Sequence, residues 1–170
     1  MKRAAQDPIL THWRESVPND RLAHLVKDTT RAFVRSLQAR LAQHDIAFGH
    51  WTYLRILWEH DGLTQRQLSG EAGVMEPTTH AALRAMEARG FIERRRLPGN
   101  AKNNHIYLTR TGWALRDALV PLAQEVNALA IDALPASEVA QLRDTLLRML
   151  ENLARDPLLQ TEPDSAPRSK

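Results

Sequence analysis

The stretch EPTTHAALRAMEARG, residues 76–90, has a helical pattern whose two faces differ in side-chain size. Thr79, Leu83 and Met86 recur at helical spacing, which predicts a buried side. The opposite face consists of small residues with two hydrogen-bonding side chains among them: Pro77, Thr78, Ala81, Arg84, Ala85 and Ala88. Small side chains let a helix approach another surface closely, and a hydroxyl and a guanidinium can then donate hydrogen bonds to it. This face therefore predicts recognition by close polar contact.

Positive charge is concentrated immediately after this helix. The basic residues are Arg89, Arg94, Arg95, Arg96, Lys102 and Arg110, and Glu93 is the acidic residue among them. Such a cluster suits contacts to phosphates. Runs of β-forming residues, FIERRR and HIYLT, flank the turn-rich LPGNAKNN, which predicts a hairpin with a long, flexible tip.

DNA is the partner that fits both segments. The major groove, about 12 Å wide, admits a helix whose facing side chains are small, and alanine methyls can contact thymine methyls there. A basic hairpin can contact phosphates and reach the minor groove. The predicted DNA contacts are Pro77, Thr78, His80, Ala81, Arg84, Arg94, Arg95, Arg96 and Lys102. The alternative is that the helix and the hairpin are merely solvated.

A second candidate site lies near the junction of the first two predicted helices. His50 occurs on an apolar helical face, Trp51 is its neighbour, and Arg40 and His44 fall on the apolar side of the preceding helix. An aromatic ring can stack on tryptophan while a carboxylate meets arginine or histidine. These four residues predict a site for a small aromatic or heteroaromatic carboxylate. The alternative is a satisfied core histidine beside a surface arginine.

Composition narrows the remaining classes. The 170 residues carry a net charge of +3 and no cysteine, which excludes disulfides and thiolate catalysis. No glycine-rich phosphate loop, nucleophile motif or persuasive carboxylate pair is present, so we expect no enzyme and no cofactor. Seven histidines form no helical metal-binding pair, although a site assembled from separate helices stays open. With no membrane span or secretory signal in the sequence, we expect a cytoplasmic protein.

Periodicity predicts a mainly α fold with a small β-hairpin wing, in the order helix, helix, short helix, turn, helix, hairpin, helix, helix. Thr64 and Gln67 have the spacing of a capping box, and Thr109 can cap the next helix. The expected segments are an N-terminal extension (1–19), a dimerisation helix (20–47), a winged helix-turn-helix (48–109), C-terminal dimerisation helices (110–156) and a disordered tail (157–170).

The stretch LTQRQLSGEAGVMEPTTHAALRAMEARGFIERRR, followed by LTRTG, resembles the winged helix of the MarR (multiple antibiotic resistance regulator) family. The similarity extends in pattern over residues 20–155. It implies a homodimeric regulator that dimerises through its first and last two helices and whose DNA binding a small molecule often weakens. Two positions depart from the family pattern. Asn100-Ala101-Lys102 replaces an Asp-Arg-Arg element in the wing, and Ala81 replaces an arginine of the recognition helix.

The predicted function is a dimeric transcription regulator, expected to be a repressor. Twofold symmetry places two recognition helices about 34 Å apart, which predicts a palindromic operator. The small aromatic acid is the expected effector. Two alternatives stay open, namely a metal-responsive regulator and a DNA-binding protein without an effector.

Overall fold

The computed structural model describes residues 22–97 and 100–160. The predicted N-terminal extension and the tail beyond residue 160 lie outside the described residues. Helices and strands follow one another as α1 (Leu22–Ala42), α2 (Phe48–Glu59), β1 (Leu63–Thr64), α3 (Gln65–Ala72), α4 (Glu76–Ala88), β2 (Ile92–Leu97), β3 (Asn100–Leu108), α5 (Arg110–Ala130), α6 (Ala136–Ala154) and α7 (Pro157–Gln160). The described chain is thus mainly helical with one small sheet, as the sequence predicts. None of the described helices is long and apolar enough to cross a membrane.

Local sequence signals explain most helix ends. Thr64 and Gln67 form both hydrogen bonds of the predicted capping box at the start of α3. Gly73, which follows this helix, has a left-handed backbone with φ of 61° that glycine adopts without steric cost. The Thr109 hydroxyl accepts the Gly112 amide at 3.1 Å and so caps α5 as predicted.

The sheet has three antiparallel strands in the order β1-β3-β2, and β1 was not predicted. β1 pairs Leu63 with Ile106 and Thr64 with His105. The hairpin also differs from the prediction of a long tip, because β3 already begins at Asn100. A β-bulge between Arg96 and Leu97 lets pairing continue through this polar segment.

The chain divides into two compact units, Met1–Ala128 and Leu129–Lys170. The first unit contains the hydrophobic core, whose fully buried side chains include Leu41, Leu54, Leu57, Leu68, Leu83, Met86, Ile106 and Leu119. The second unit contains α6, in which no residue is buried. It also contains α7 within the predicted disordered tail. This helix forms because Pro157 suits a first helical position and the Asp156 carboxylate accepts the Leu158 amide at 3.0 Å.

A close contact fixes the start of α5 in the first unit. The Trp58 indole donates a hydrogen bond to the Gly112 carbonyl at 3.0 Å, and the Thr109 amide donates to the Phe91 carbonyl at 3.0 Å. A Cβ atom on Gly112 would overlap that Phe91 carbonyl oxygen. Glycine is therefore the residue that lets α5 begin directly against the end of the recognition segment.

Candidate nucleic-acid interface and ligand cavities

Helix α4 has the two faces that the sequence predicts. Thr79, Leu83 and Met86 are buried, with no exposed surface. The residues proposed to contact DNA on the other face are exposed, namely Pro77, Thr78, His80, Ala81 and Arg84. Met75 precedes the helix in an extended conformation and Pro77 occupies its first turn, where a missing amide hydrogen is harmless.

Two donors on the exposed face of α4 are available to a ligand. The side chains of Thr78 and Arg84 have no hydrogen-bond or ion-pair partner within the described part of the chain. His80 differs, because its Nδ1 lies 3.1 Å from the Gln65 amide oxygen of α3. The small and unpaired side chains thus lie on the same helical face.

A buried network of hydroxyl groups fixes this helix from behind. Tyr53 of α2 donates a hydrogen bond to the Thr79 hydroxyl at 2.9 Å, and Ser69 of α3 donates to the same oxygen at 2.8 Å. Thr79 itself lies 3.4 Å from the Met75 carbonyl. Because buried polar groups must be hydrogen-bonded to be tolerated, the network favours one placement of α4 against its neighbours. The sequence offered no sign of it, since the three hydroxyls come from three separate helices.

The arginines of the hairpin differ in how freely they can meet a phosphate. Arg94 is ion-paired with Glu87 of α4 at 3.0 Å and its side chain is 19% exposed. Arg95 pairs with Glu93 and lies over the Tyr107 ring at 4.8 Å.

The remaining two basic residues of the hairpin lie nearer its tip. The exposed Arg96 is 3.4 Å from the Asn104 amide oxygen. Lys102 belongs to β3, but its side chain lies outside the described residues. Arg96 is therefore less constrained by acidic neighbours than Arg94, which the sequence analysis placed in the same group.

His50 lies in surroundings of its own on α2. Its ring makes an edge contact with Phe91 at 6.4 Å between centroids. Burial lowers the pKa of His50, the nearby Arg89 lowers the pKa further, and Asp45 opposes both. Arg89 also pairs with Asp45 at 2.7 Å, joining the end of α4 to the turn before α2. The imidazole is thus held towards its neutral form, which attracts a carboxylate less than imidazolium does.

The structure does not place the four predicted effector contacts around one cavity. Arg40 lies 3.4 Å from Glu125 and 2.9 Å from the Ser36 hydroxyl. His44 is exposed. Trp51 lines two cavities, and His50, Arg40 and His44 line neither of them. Helical periodicity identified the face of each residue but gave no information about which neighbouring element packs against it.

The two cavities lie on different sides of the indole. The smaller, of about 210 Å³, is bounded by residues of α1, α2 and α5, namely Phe33, Val34, Leu37, Phe48, Trp51, Ala123, Val126 and Asn127. The larger, of about 440 Å³, lies between α2 and the helix-turn-helix. Among the described residues, no group of three or more histidine, aspartate or glutamate side chains is placed to hold a metal ion.

Comparison with known proteins finds transcription regulators. A sequence model described as the MarR family matches residues 49–103. The chain is 25% identical over 135 residues to the HTH-type transcriptional regulator TtmR of Methylorubrum extorquens, covering 79% of this chain and 68% of the relative. It is also 25% identical over 134 residues to the organic hydroperoxide resistance transcriptional regulator of Bacillus subtilis, covering 79% of this chain and 90% of the relative.

Solved structures of regulators have the same fold. The transcriptional regulator PA3341 is 30% identical, with a TM-score of 0.70 over 79% of this chain and 98% of that one. A MarR family transcriptional regulator from Listeria monocytogenes, crystallised with a 26mer DNA, is 23% identical, with a TM-score of 0.72 over 79% of this chain and 90% of that one. The predicted winged-helix fold is confirmed.

Proposed function

Because the chain belongs to the MarR family of DNA-binding transcription regulators, we propose that it is a homodimeric repressor of a palindromic operator, released by a small aromatic or heteroaromatic carboxylate. The exposed face of α4 carries this proposal. It combines alanine-sized side chains with the unpaired donors of Thr78 and Arg84, beside a basic hairpin. Homologues that are regulators point away from an enzyme.

Exposed apolar surface supports the dimer. Helix α6 has no buried residue, yet it carries leucines that are 39–64% exposed, namely Leu142, Leu146, Leu147, Leu150 and Leu153. The first turns of α1 expose Leu22, Leu25 and Val26 as well. Soluble monomers rarely leave such stripes in water. We propose that segments 20–47 and 110–156 pack against a second copy, while segment 48–109 contacts DNA.

Sequence-specific DNA binding is the first expected result. The protein should prefer the region upstream of its own coding sequence to a random duplex of equal length. Each neutralised phosphate lowers log K by about 0.9 per log unit of salt, so affinity should fall steeply between about 50 and 200 mM salt. Fluorescence anisotropy with both duplexes measures this. Equal affinity for the two duplexes at moderate salt would contradict the proposal.

The recognition helix and the wing should differ in how mutations affect binding. Arg84→Ala is expected to cost about 1–3 kcal/mol and to relax base preference, because an unpaired guanidinium on the exposed face can read a base edge. Lys102→Ala should weaken binding to all duplexes equally and reduce the salt slope by about one unit. Anisotropy with operator variants at several salt concentrations separates the two effects. Unchanged base preference in Arg84→Ala would assign Arg84 to phosphate or solvent instead.

Release by an effector requires that the ligand prefers one conformation. A ligand with equal affinity for the DNA-competent and incompetent states shifts nothing. A coupling of about 1–3 kcal/mol would lower operator affinity about 5- to 150-fold. The proposed ligand class rests on the aromatic walls near Trp51, which lines both cavities. A panel of benzoates, hydroxycinnamates and pyridine carboxylates tests it, and the proposal fails if none of them shifts the melting temperature or releases DNA.

A further inference from the structure

The larger cavity lies directly behind the proposed DNA-contacting surface. It is bounded by the first two turns of α2, by Ala72 and Val74 around the turn of the helix-turn-helix, and by Thr78 and Ala82 of α4. Its volume of about 440 Å³ falls within the range of small-molecule sites, about 300–1,000 Å³. An occupant would therefore touch the recognition helix itself.

The walls of this cavity have the chemistry of an amphipathic anion site. Phe48, Trp51 and Tyr53 provide aromatic surface, and the Tyr53 hydroxyl is already bonded to Thr79. Arg55 is the cationic residue of the lining. Its guanidinium has no ion-pair or hydrogen-bond partner among the residues that the structure describes.

The smaller cavity lacks these features. Its volume of about 210 Å³ lies below the usual range for small-molecule sites, and its lining contains no charged residue. A carboxylate placed there would lose its hydration without gaining a counter-charge, which is costly. Arg40, the nearest cation by sequence prediction, is occupied by Glu125. An aromatic acid therefore fits the larger cavity better.

We propose that the cavity between α2 and the helix-turn-helix binds a small aromatic carboxylate, with the ring against Trp51 and the carboxylate paired to Arg55. The Thr78 hydroxyl, which also lines the cavity, donates a hydrogen bond to the same ligand. Since Thr78 is a proposed DNA contact, the ligand competes with DNA for that donor. This inference takes its ligand class from the proposed function, but binding to the cavity does not require DNA.

Gly49 provides a variant that fills the cavity without disturbing the fold. It lines the cavity, and a Cβ atom added to it would meet no heavy atom within 4 Å. It also lies inside α2, where other residues form helix more readily than glycine. Gly49→Leu should therefore occupy the ligand's space. Gly49→Ala is the matched control, because it adds one methyl group and leaves most of the volume free.

The experiment is isothermal titration calorimetry without DNA, using 1-naphthoate and its neutral analogue 1-naphthamide as probes. Naphthoate should bind the parent protein. Arg55→Gln should weaken it about 10- to 100-fold, the effect of losing a charged hydrogen bond, and naphthamide should bind parent and variant with similarly low affinity. Gly49→Leu should abolish binding, whereas Gly49→Ala should retain it. Thermal melts of each variant confirm folding.

Three outcomes would overturn the inference. These are absence of naphthoate binding to the parent, undiminished binding to Arg55→Gln, and undiminished binding to Gly49→Leu. Loss of binding in Arg40→Gln or His50→Ala, with none in Arg55→Gln, would instead place the ligand at the four residues predicted from sequence. The proposed function fails separately, if the ligand-free protein shows no preference for its upstream region in anisotropy.

Discussion

Replacing Leu146 of α6 by glutamate is expected to convert the protein to a monomer and to lower operator affinity about 10²- to 10⁴-fold. The fall reflects loss of the second, tethered recognition helix, whose effective concentration contributes a factor of that size. Leu146 is 39% exposed in the single chain and lies on the apolar stripe of α6. A carboxylate buried there without a partner would disfavour association. Sedimentation equilibrium and anisotropy on a two-half-site duplex measure the two effects.

Gln141→Glu is the matched control for this variant. Gln141 is exposed on the same helix but away from the apolar stripe, so the substitution adds the same charge outside the proposed interface. It should remain dimeric and bind DNA as the parent does. If Leu146→Glu stayed dimeric, or if both variants lost affinity equally, the dimer interface would have to be sought elsewhere.

Gly112→Ala should be the most destabilising of the conservative substitutions, by about 3 kcal/mol, at the upper end of the range for overpacking. The added Cβ would overlap the backbone oxygen of Phe91, and no change of rotamer relieves a contact between backbones. The shift should also strain the hydrogen bond from the Trp58 indole to the Gly112 carbonyl. For a chain of 170 residues, each kcal/mol corresponds to a change of about 2–4 °C in melting temperature.

Thermal melts at a fixed protein concentration measure the loss, since dimerisation makes the melting temperature depend on concentration. Gly49→Ala is the control, because its Cβ meets no neighbour and helix propensity favours alanine by up to about 1 kcal/mol. A Gly112→Ala protein as stable as the parent would mean that α5 can move away from Phe91 at little cost.

Local signals allowed much of the fold to be predicted from sequence. The capping box of Thr64 and Gln67 and the cap at Thr109 are short-range hydrogen bonds, so their residue types and spacing are sufficient. The division of α4 into a buried and an exposed face also follows from periodicity alone. Strand β1 depends on pairing with His105 and Ile106, which are distant in sequence, so two residues gave no signal of their own.

The candidate site was harder to predict because it depends on which elements meet. Arg94 was placed with the phosphate-binding residues, but the structure pairs it with Glu87 one element earlier. His50 and Trp51 are adjacent in sequence, yet consecutive helical positions point about 100° apart. They therefore face different neighbours, Phe91 for the histidine and the cavities for the tryptophan. Arg55 gave no signal, because an unpaired arginine can be identified only when all its neighbours are known.

The hydroxyl network behind α4 has a consequence for grafting recognition helices between regulators. Thr79 accepts from two helices at once, so a transplanted helix keeps its seat only if it brings a hydroxyl to that position and apolar residues to positions 83 and 86. The outward positions carry no such requirement. Operator preference is therefore a replaceable module in this scaffold, and libraries that randomise positions 78, 81, 84 and 85 while retaining Thr79 should yield folded proteins with new DNA targets.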